Sequence, residues 1–540
     1  MKKSLYARQL NAISKTALME GLFVHGMFSD KLPPIFQSHL FAEWRKAYKP
    51  CTQTGTWRGH IEFWQHRDNG KRRKIDIPEP FSYYDLCNAI AEHWSSDLVP
   101  HFERMTEDDQ HKVSRLHVRR LRDTKSIFKM TYKNFKIDGS DEIQMSTNNR
   151  YVVRTDISSC FPSIYTHAFS WAAIGKNETK KQVKNNEHKT VWDTLDTLTQ
   201  AHMNGETHGV PIGPIASHVL AEIILTAVDK DIKEAGFRLF YRNIDDYTFY
   251  GKTIDECERF IAQFTRSLSM FGLTPNTEKT MIEELPQSAT SAWVRKVRNH
   301  IVVSKRLNRK KNQAKGLLKF PQINDFLDDV LEIVHNDGNK ATSMKYAFSM
   351  LKKYKLTTNA KKALISRAVN MCYIFPYITP LLWEGIIEPH DLVFYTRTNM
   401  LNSLKDLYQN RLSMNDYSSC AWIIYLYDKL DVHDETFDVK FDNKLIEDGV
   451  LLATYYFYCL RSNNVNKLVD LRKEADKILD TIIEQAQKDK SKALPYFDEN
   501  WLFLYEACSK KKLNALNQHY GQMRKNGVTF FVDSANDKAS

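Results

Sequence analysis

Residues 151–164 read Tyr151-Val152-Val153-Arg154-Thr155-Asp156-Ile157-Ser158-Ser159-Cys160-Phe161-Pro162-Ser163-Ile164. The first seven are mostly aromatic, β-branched or apolar, which predicts a strand. Ser158, Ser159 and Pro162 then signal a turn into a helix. Asp156 therefore falls at the end of a strand. Working outward, Gly209-Val210-Pro211-Ile212-Gly213-Pro214 is a loop by its punctuation. From Ile215 to Ala235 apolar residues recur at Val219, Leu220, Ile223, Ile224, Ala227 and Val228, a helical spacing. Two β-prone runs, Phe237 to Ile244 and Tyr247 to Tyr250, flank Asp245-Asp246 and predict a hairpin with the two acids at its tip. Residues 253–271 return to helical spacing, with Gly272 suited to the C′ position. The polar stretch 176–190 reads as a surface insertion. From about 315 onward the texture is helical without a fixed repeat period, which suits stacked helix pairs or a bundle.

The chain has 540 residues, 42% hydrophobic and 12% aromatic, with 77 Lys and Arg against 65 Asp and Glu and a formal net charge of +12. This suits a folded chain of roughly two to four domains and excludes a disordered one. With 19 glycines and 16 prolines, collagen-like and linker-rich classes are excluded too. No apolar run approaches the ~20 residues of a membrane span, and no apolar segment follows the basic opening Met1-Lys2-Lys3. A cytoplasmic protein without a membrane role is expected. The eight cysteines form no C-x-x-C pair, so reduced, buried thiols are expected. The positive balance points to an anionic partner such as nucleic acid. It concentrates in Lys71-Arg72-Arg73-Lys74 and in two longer stretches, Lys112 to Lys136 and Arg295 to Lys315, each able to line a nucleic-acid channel.

Asp108-Asp109 and Asp328-Asp329 read as solvated helix charges. Asp245-Asp246 differ by context, because adjacent like charges among aromatics are costly unless solvated or metal-bound. With Asp156 at a strand end in the same segment, an oxygen-rich site suited to Mg²⁺ follows. Two such ions about 4 Å apart activate a 3′-hydroxyl and neutralise a leaving pyrophosphate.

Taken in order, Asp156 to Ile164, Gly209 to Ser217, Asn243-Ile244-Asp245-Asp246 and Asn276-Thr277-Glu278-Lys279-Thr280 resemble motifs A, B, C and D of the reverse transcriptase palm. Asn243 departs from the tyrosine usual in the third motif. The string Ser163-Ile164-Tyr165-Thr166-His167, with Trp171, Gly175-Lys176, Ala221 to Leu225, Leu285-Pro286 and Trp293, is similar to the abortive-infection (Abi, AbiK-like) reverse transcriptases of bacterial defence.

The resemblance implies an α+β right-hand polymerase. Fingers over 1–150 and a palm over 151–300 would precede an all-α, HEAT-like or bundle-like C-terminal domain over 301–540. It implies two Mg²⁺ ions, with Mn²⁺ as the alternative, on Asp156 and Asp245, with the Ile157 carbonyl as a further donor and Asp246 in support. Phe161 takes the position of the steric gate that favours deoxynucleotides. Gly209 and Gly213 let backbone approach the nucleotide, Ser217 helps to position the base, and Lys279 protonates the pyrophosphate or steadies the triphosphate. In the family's first motif, strand alternation permits Arg72 with Lys74, or Lys71 with Arg73, to hold triphosphate oxygens; Arg72 and Lys74 stand as the candidates. The implied activity is polymerisation of dNTPs in anti-phage defence within the bacterial cytoplasm, primed on a protein tyrosine and template-independent in some relatives. Single-stranded DNA would be the product, RNA a further partner, and the assembly a homo-oligomer. The alternatives are an RNA-templated, retron-like enzyme and a catalytically silent nucleic-acid-binding scaffold.

Overall fold

The structure is a computed structural model that describes residues 5–48, 58–67, 71–107, 109, 111–115, 117–118, 128–129, 139–185, 190–287, 292–300, 317–336, 341–442, 444–488 and 500–532. Six strands frame the site. An antiparallel hairpin pairs β1 (His60–His66) with β2 (Arg72–Pro78). A four-stranded antiparallel sheet contains β3 (Tyr151–Asp156), β4 (Phe240–Asn243), β5 (Asp246–Gly251) and β6 (Met281–Glu284), in the order β4-β5-β3-β6. The Tyr151–Asp156 run is thus a central strand, buried at every position but Arg154.

Two helices cover this sheet. α1 (Ala216–Glu234) is buried along most of its length, Val219, Leu220, Ile223, Ile224 and Val228 included. α2 (Ile254–Ser269) is capped by Thr253, whose side chain accepts the Glu256 N–H. It buries Cys257, Phe260, Phe264 and Leu268 on one face. Phe260 lies flat on Phe249 of β5, ring centroids 4.3 Å apart. Residues Lys176–Asn185 of the polar stretch form a helix.

Beyond residue 317 the architecture is helical, as its texture predicts. Among the described residues there, strand pairing is confined to two short two-residue ladders, Leu317–Leu318 with Lys355–Leu356 and Lys440–Phe441 with Lys444–Leu445. The helices α3 (Tyr417–Lys429) and α4 (Gly449–Arg461) pack on β1. In α5 (Trp501–Ala507), the buried Trp501 indole donates to the Ile77 carbonyl at 3.2 Å, and beyond α5 the Tyr520 hydroxyl donates to the buried Glu79 at 3.0 Å. The described cysteines are free and buried; Cys51 lies outside the described residues. No helix among the described residues is long and apolar enough to cross a membrane.

Sheet and helix are locked together by Arg242 on β4, which is 0% exposed. Its guanidinium forks onto Asp229 (2.8–3.1 Å) and Glu222 (2.9 and 3.2 Å), both on α1. Tyr6 donates to Glu222 at 2.6 Å, Ser114 donates to the same oxygen, and Tyr247 donates to Asp229 at 2.9 Å. Arg242→Met would strand two buried carboxylates and should cost about 3–5 kcal/mol of stability by denaturant unfolding. Adding Glu222→Gln and Asp229→Asn should recover part of that loss, because the uncompensated charges go with them.

Candidate active site

Asp156 ends β3 and stands directly opposite Asp246, the first residue of β5. The hairpin tip is therefore Ile244-Asp245, one residue earlier than the sequence predicts, because β5 stays paired with β3 to its first residue. Ile244 adopts φ +58°, a conformation that a β-branched side chain rarely takes. Its carbonyl is held by Arg242 Nη1 at 2.9 Å. Below the tip, the Ile157 N–H donates to the Asp245 carbonyl at 3.3 Å, and the Asn276 N–H donates to the Asp156 carbonyl at 2.8 Å. These bonds draw the strand end, the turn and the Asn276–Thr280 segment into one cluster.

Three carboxylates lie near one another there, close enough for their charges to act on each other, although their oxygens do not all come within 4.8 Å of one another. Burial, followed by the charge of Asp156, raises the pKa of Asp245. Burial and the charges of Asp245 and Asp156 push Asp246 up to about 6. Lys279 answers part of this excess: its ammonium ion-pairs with Asp156 Oδ2 although its side chain is 64% exposed. That hydrogen bond, with the charges of all three acids, raises the Lys279 pKa despite partial burial. Asp156 Oδ1 is buried and has no hydrogen bond. Clustered, desolvated oxygens with one orphaned acceptor suit hard divalent cations.

The remaining sequence candidates divide. Phe161 is 8% exposed, its ring edge-on to His218 at 4.9 Å, and its carbonyl accepts the Val210 N–H at 3.0 Å. Gly209 (φ +95°) sits beside Pro162. Gly213 (φ +123°) is needed for a different approach than expected. A Cβ there would come within 2.9 Å of Ile75 on β2, so the glycine seats the loop against the hairpin. Ser217, in the first turn of α1, is 2% exposed and packed into the core. Arg72 donates to the Met414 carbonyl at 3.3 Å, and Lys74 pairs with Glu62 at 2.9 Å. Neither reaches the carboxylates. Arg73 is near enough for its charge to act on Asp245 and His218. Alternation leaves this choice open in the sequence, and in the hairpin Arg73 lies on the opposite face from Arg72 and Lys74.

The longer basic stretches are only partly in view. Arg115 is buried, paired with Glu142 at 2.9 Å and stacked 3.5 Å over the Tyr241 ring, so it lines no channel. Lys296 pairs with Asp329 and Glu332. Arg119, Arg120, Arg122, Lys125, Lys133, Lys136 and everything from Lys305 to Lys315 lie outside the described residues. Asp109 is not the solvated charge expected of it. It is buried against Lys233, and burial pushes its pKa up to about 6.

Residues 100–298 match the family model described as reverse transcriptase (RNA-dependent DNA polymerase), so a reverse transcriptase domain is present over the segment that holds all three acids and Lys279. No curated protein matches the sequence. Among solved structures, the chain is similar to an apo telomerase from Candida tropicalis truncated from its C-terminal domain, with 13% identity, TM-score 0.27, and coverage of 47% of this chain and 55% of that one. It is similar to apo telomerase from Candida tropicalis at 12% identity and TM-score 0.30, covering 72% and 71%. A telomerase from Candida albicans in complex with a fragment of telomeric RNA aligns at 9% identity and TM-score 0.28, covering 74% and 69%. The chain thus spans about half the length of the first of these.

Asp246→Asn should stabilise chelator-treated protein at about pH 7 by roughly 1–2 kcal/mol, after discounting for solvent near the group. The folded carboxyl titrates near 6, above its unfolded value of about 3.9. Ionising it therefore costs folding energy, a cost absent below about pH 4 and complete only above the folded value. Urea unfolding across this range should show the gain growing as pH rises from about 4 and levelling off above about 6. A gain independent of pH would overturn the assignment.

Proposed function

We propose that the chain is a polymerase of deoxynucleotides, of the abortive-infection type, working through its reverse transcriptase domain. The observation that carries this reading is the convergence of Asp156, Asp245 and Asp246 at paired strand ends, with Lys279 drawn onto Asp156. Two Mg²⁺ ions, or Mn²⁺, supply when bound an activated hydroxyl nucleophile and charge neutralisation for the leaving pyrophosphate. Asp156 and Asp245 would hold the ions, Asp246 would support them, and the Ile157 carbonyl would add a donor. Lys279 is poised to change partners. Its exposed ammonium would be the proton donor to the departing pyrophosphate. Arg73, on the side of the hairpin that acts on Asp245, takes triphosphate oxygens.

The Phe161 ring, edge-on to His218, would act as a steric gate that excludes a ribose 2′-hydroxyl and so favours dNTPs over NTPs. Support for the abortive-infection type comes from the Ser163–His167 string and from the helical region beyond residue 317. This reading carries with it a role in bacterial anti-phage defence, protein-primed synthesis of single-stranded DNA without a template, and a cytoplasmic homo-oligomer. The domain division at about 150 and 300 belongs to the same proposal.

The deciding assay mixes full-length protein, Mg²⁺ and labelled dNTPs without primer or template. Label that stays on the protein through denaturation supports protein priming. Synthesis only with added RNA and primer means an RNA-templated enzyme, and no incorporation in either case means a scaffold. Asp245→Ala should lower incorporation at least about a hundredfold. Phe161→Ala should relax discrimination against NTPs by about tenfold or more, read from competing kcat/KM values.

A further inference from the structure

The hairpin of β1 and β2 has two faces. One carries Arg73 and Ile75 toward the palm. The other gathers different chemistry. Glu62 lies directly opposite Asp76 in the ladder; His60 precedes Glu62 by two residues on the same face, as Lys74 precedes Asp76. Carboxylates facing each other across a sheet repel, so this face demands a cation.

His60 Nε2 stands 3.3 Å from Asp76 Oδ1 and 3.7 Å from Glu62 Oε1. The three donor atoms all lie within 4.8 Å of one another. Donors bonded at about 2.1 Å to a tetrahedral ion stand about 3.4 Å apart, so the set is already near coordination distance. Asp76 is 2% exposed, and neither its Oδ1 nor either His60 nitrogen makes a hydrogen bond of good geometry. The other Asp76 oxygen is oriented in advance. Oδ2 accepts the Ile212 N–H at 2.8 Å, the kind of outer bond that fixes a ligating carboxylate. The Lys74 ammonium holds the place of a cation, 2.9 Å from Glu62 and 3.3 Å from Asp76. Its side chain is one-quarter exposed and is free to swing into solvent. A donor set of one imidazole and two carboxylates favours a transition ion over Mg²⁺ or Ca²⁺.

We propose that His60, Glu62 and Asp76 bind a transition-metal ion of the Zn²⁺ class, displacing Lys74, at a site separate from the palm carboxylates. Through Asp76 and Ile212 the ion braces the hairpin against the loop of Gly209 to Gly213. This inference does not depend on the polymerase reading.

The test uses full-length protein stripped with a chelator, reloaded with Zn²⁺ or Co²⁺ and freed of excess metal. About one Zn²⁺ per chain should be retained, Co²⁺ should give the visible absorption of a four-coordinate site, and Zn²⁺ should raise Tm. All three signals should be lost in His60→Ala and in Glu62→Gln, and kept in Asp245→Ala. Lys74→Met, which spares the three donors and removes the competitor, should tighten Zn²⁺ binding. No retained Zn²⁺, or equal retention by wild type and the two donor variants, overturns the site. Should the donor variants fail to fold, Lys74→Met decides: unchanged or weaker Zn²⁺ binding overturns it.

Discussion

Arg242 has no exposure to solvent, answers two carboxylates of α1 and still spends one N–H on the carbonyl of Ile244. A buried ionic cluster of this kind adds little net stability compared with an apolar core, but breaking one member is severe. Its value here is positional. Glu222 and Asp229 are seven residues apart on α1, so both project from one side of the helix. Tyr6 and Ser114 reach Glu222 from outside the palm, and Tyr247 reaches Asp229 from β5. Helix, hairpin and two earlier segments thus converge on one guanidinium. The strained turn at Ile244 persists because this frame over-determines it. Asp245 consequently sits where β3 ends.

That frame concentrates negative charge. Asp156, Asp245 and Asp246 share a partly desolvated space, and burial, with the neighbouring charges adding to it, raises the pKa of the last two. Lys279 relieves it from an exposed stem, whereas Arg242 is fixed in the core beneath. The two cations therefore do different work. One is permanent and sets geometry; the other can yield to a stronger cation.

Much of this was legible in the sequence, and the reasons are physical. Asp156, Asp245 and Asp246 stand out because strand periodicity places them and because adjacent acids among aromatics need an explanation. Lys279 is recognisable only through the order of the motifs. Arg72 and Lys74 show the limit. Alternation says that two of the four basic residues share a face, but which face turns inward depends on β1 and on the carbonyl of Met414, more than 300 residues away. Ser217 fails for a related reason: a serine on an amphipathic helix looks available until packing on both sides buries it. Asp109 looks solvated because its partner, Lys233, is remote in sequence. Gly213 is correctly marked as a place of close approach, yet the neighbour is Ile75, a contact that no local pattern contains.

The same long-range contacts constrain how the site can open. The hairpin that carries Arg73 is held by the Trp501 indole at Ile77 and by Arg72 at Met414; just beyond its end, Tyr520 holds Glu79. The Gln37 N–H donates to the Phe530 carbonyl at 2.7 Å, fastening the earlier part of the chain to the same helical region. Trp501 is fully buried, so withdrawing the hairpin alone would expose a large indole and break its hydrogen bond. A swing of the hairpin must therefore carry the helices at 415–532 with it. The Gly209–Gly213 loop is tied in as well: the Asp76 N–H donates to the Ile212 carbonyl, and the Ile212 N–H donates to the Asp76 carboxylate. Motion at the site is then cheapest in side chains that leave these ties intact. Lys279, two-thirds exposed over buried acids, is the group on which least else depends.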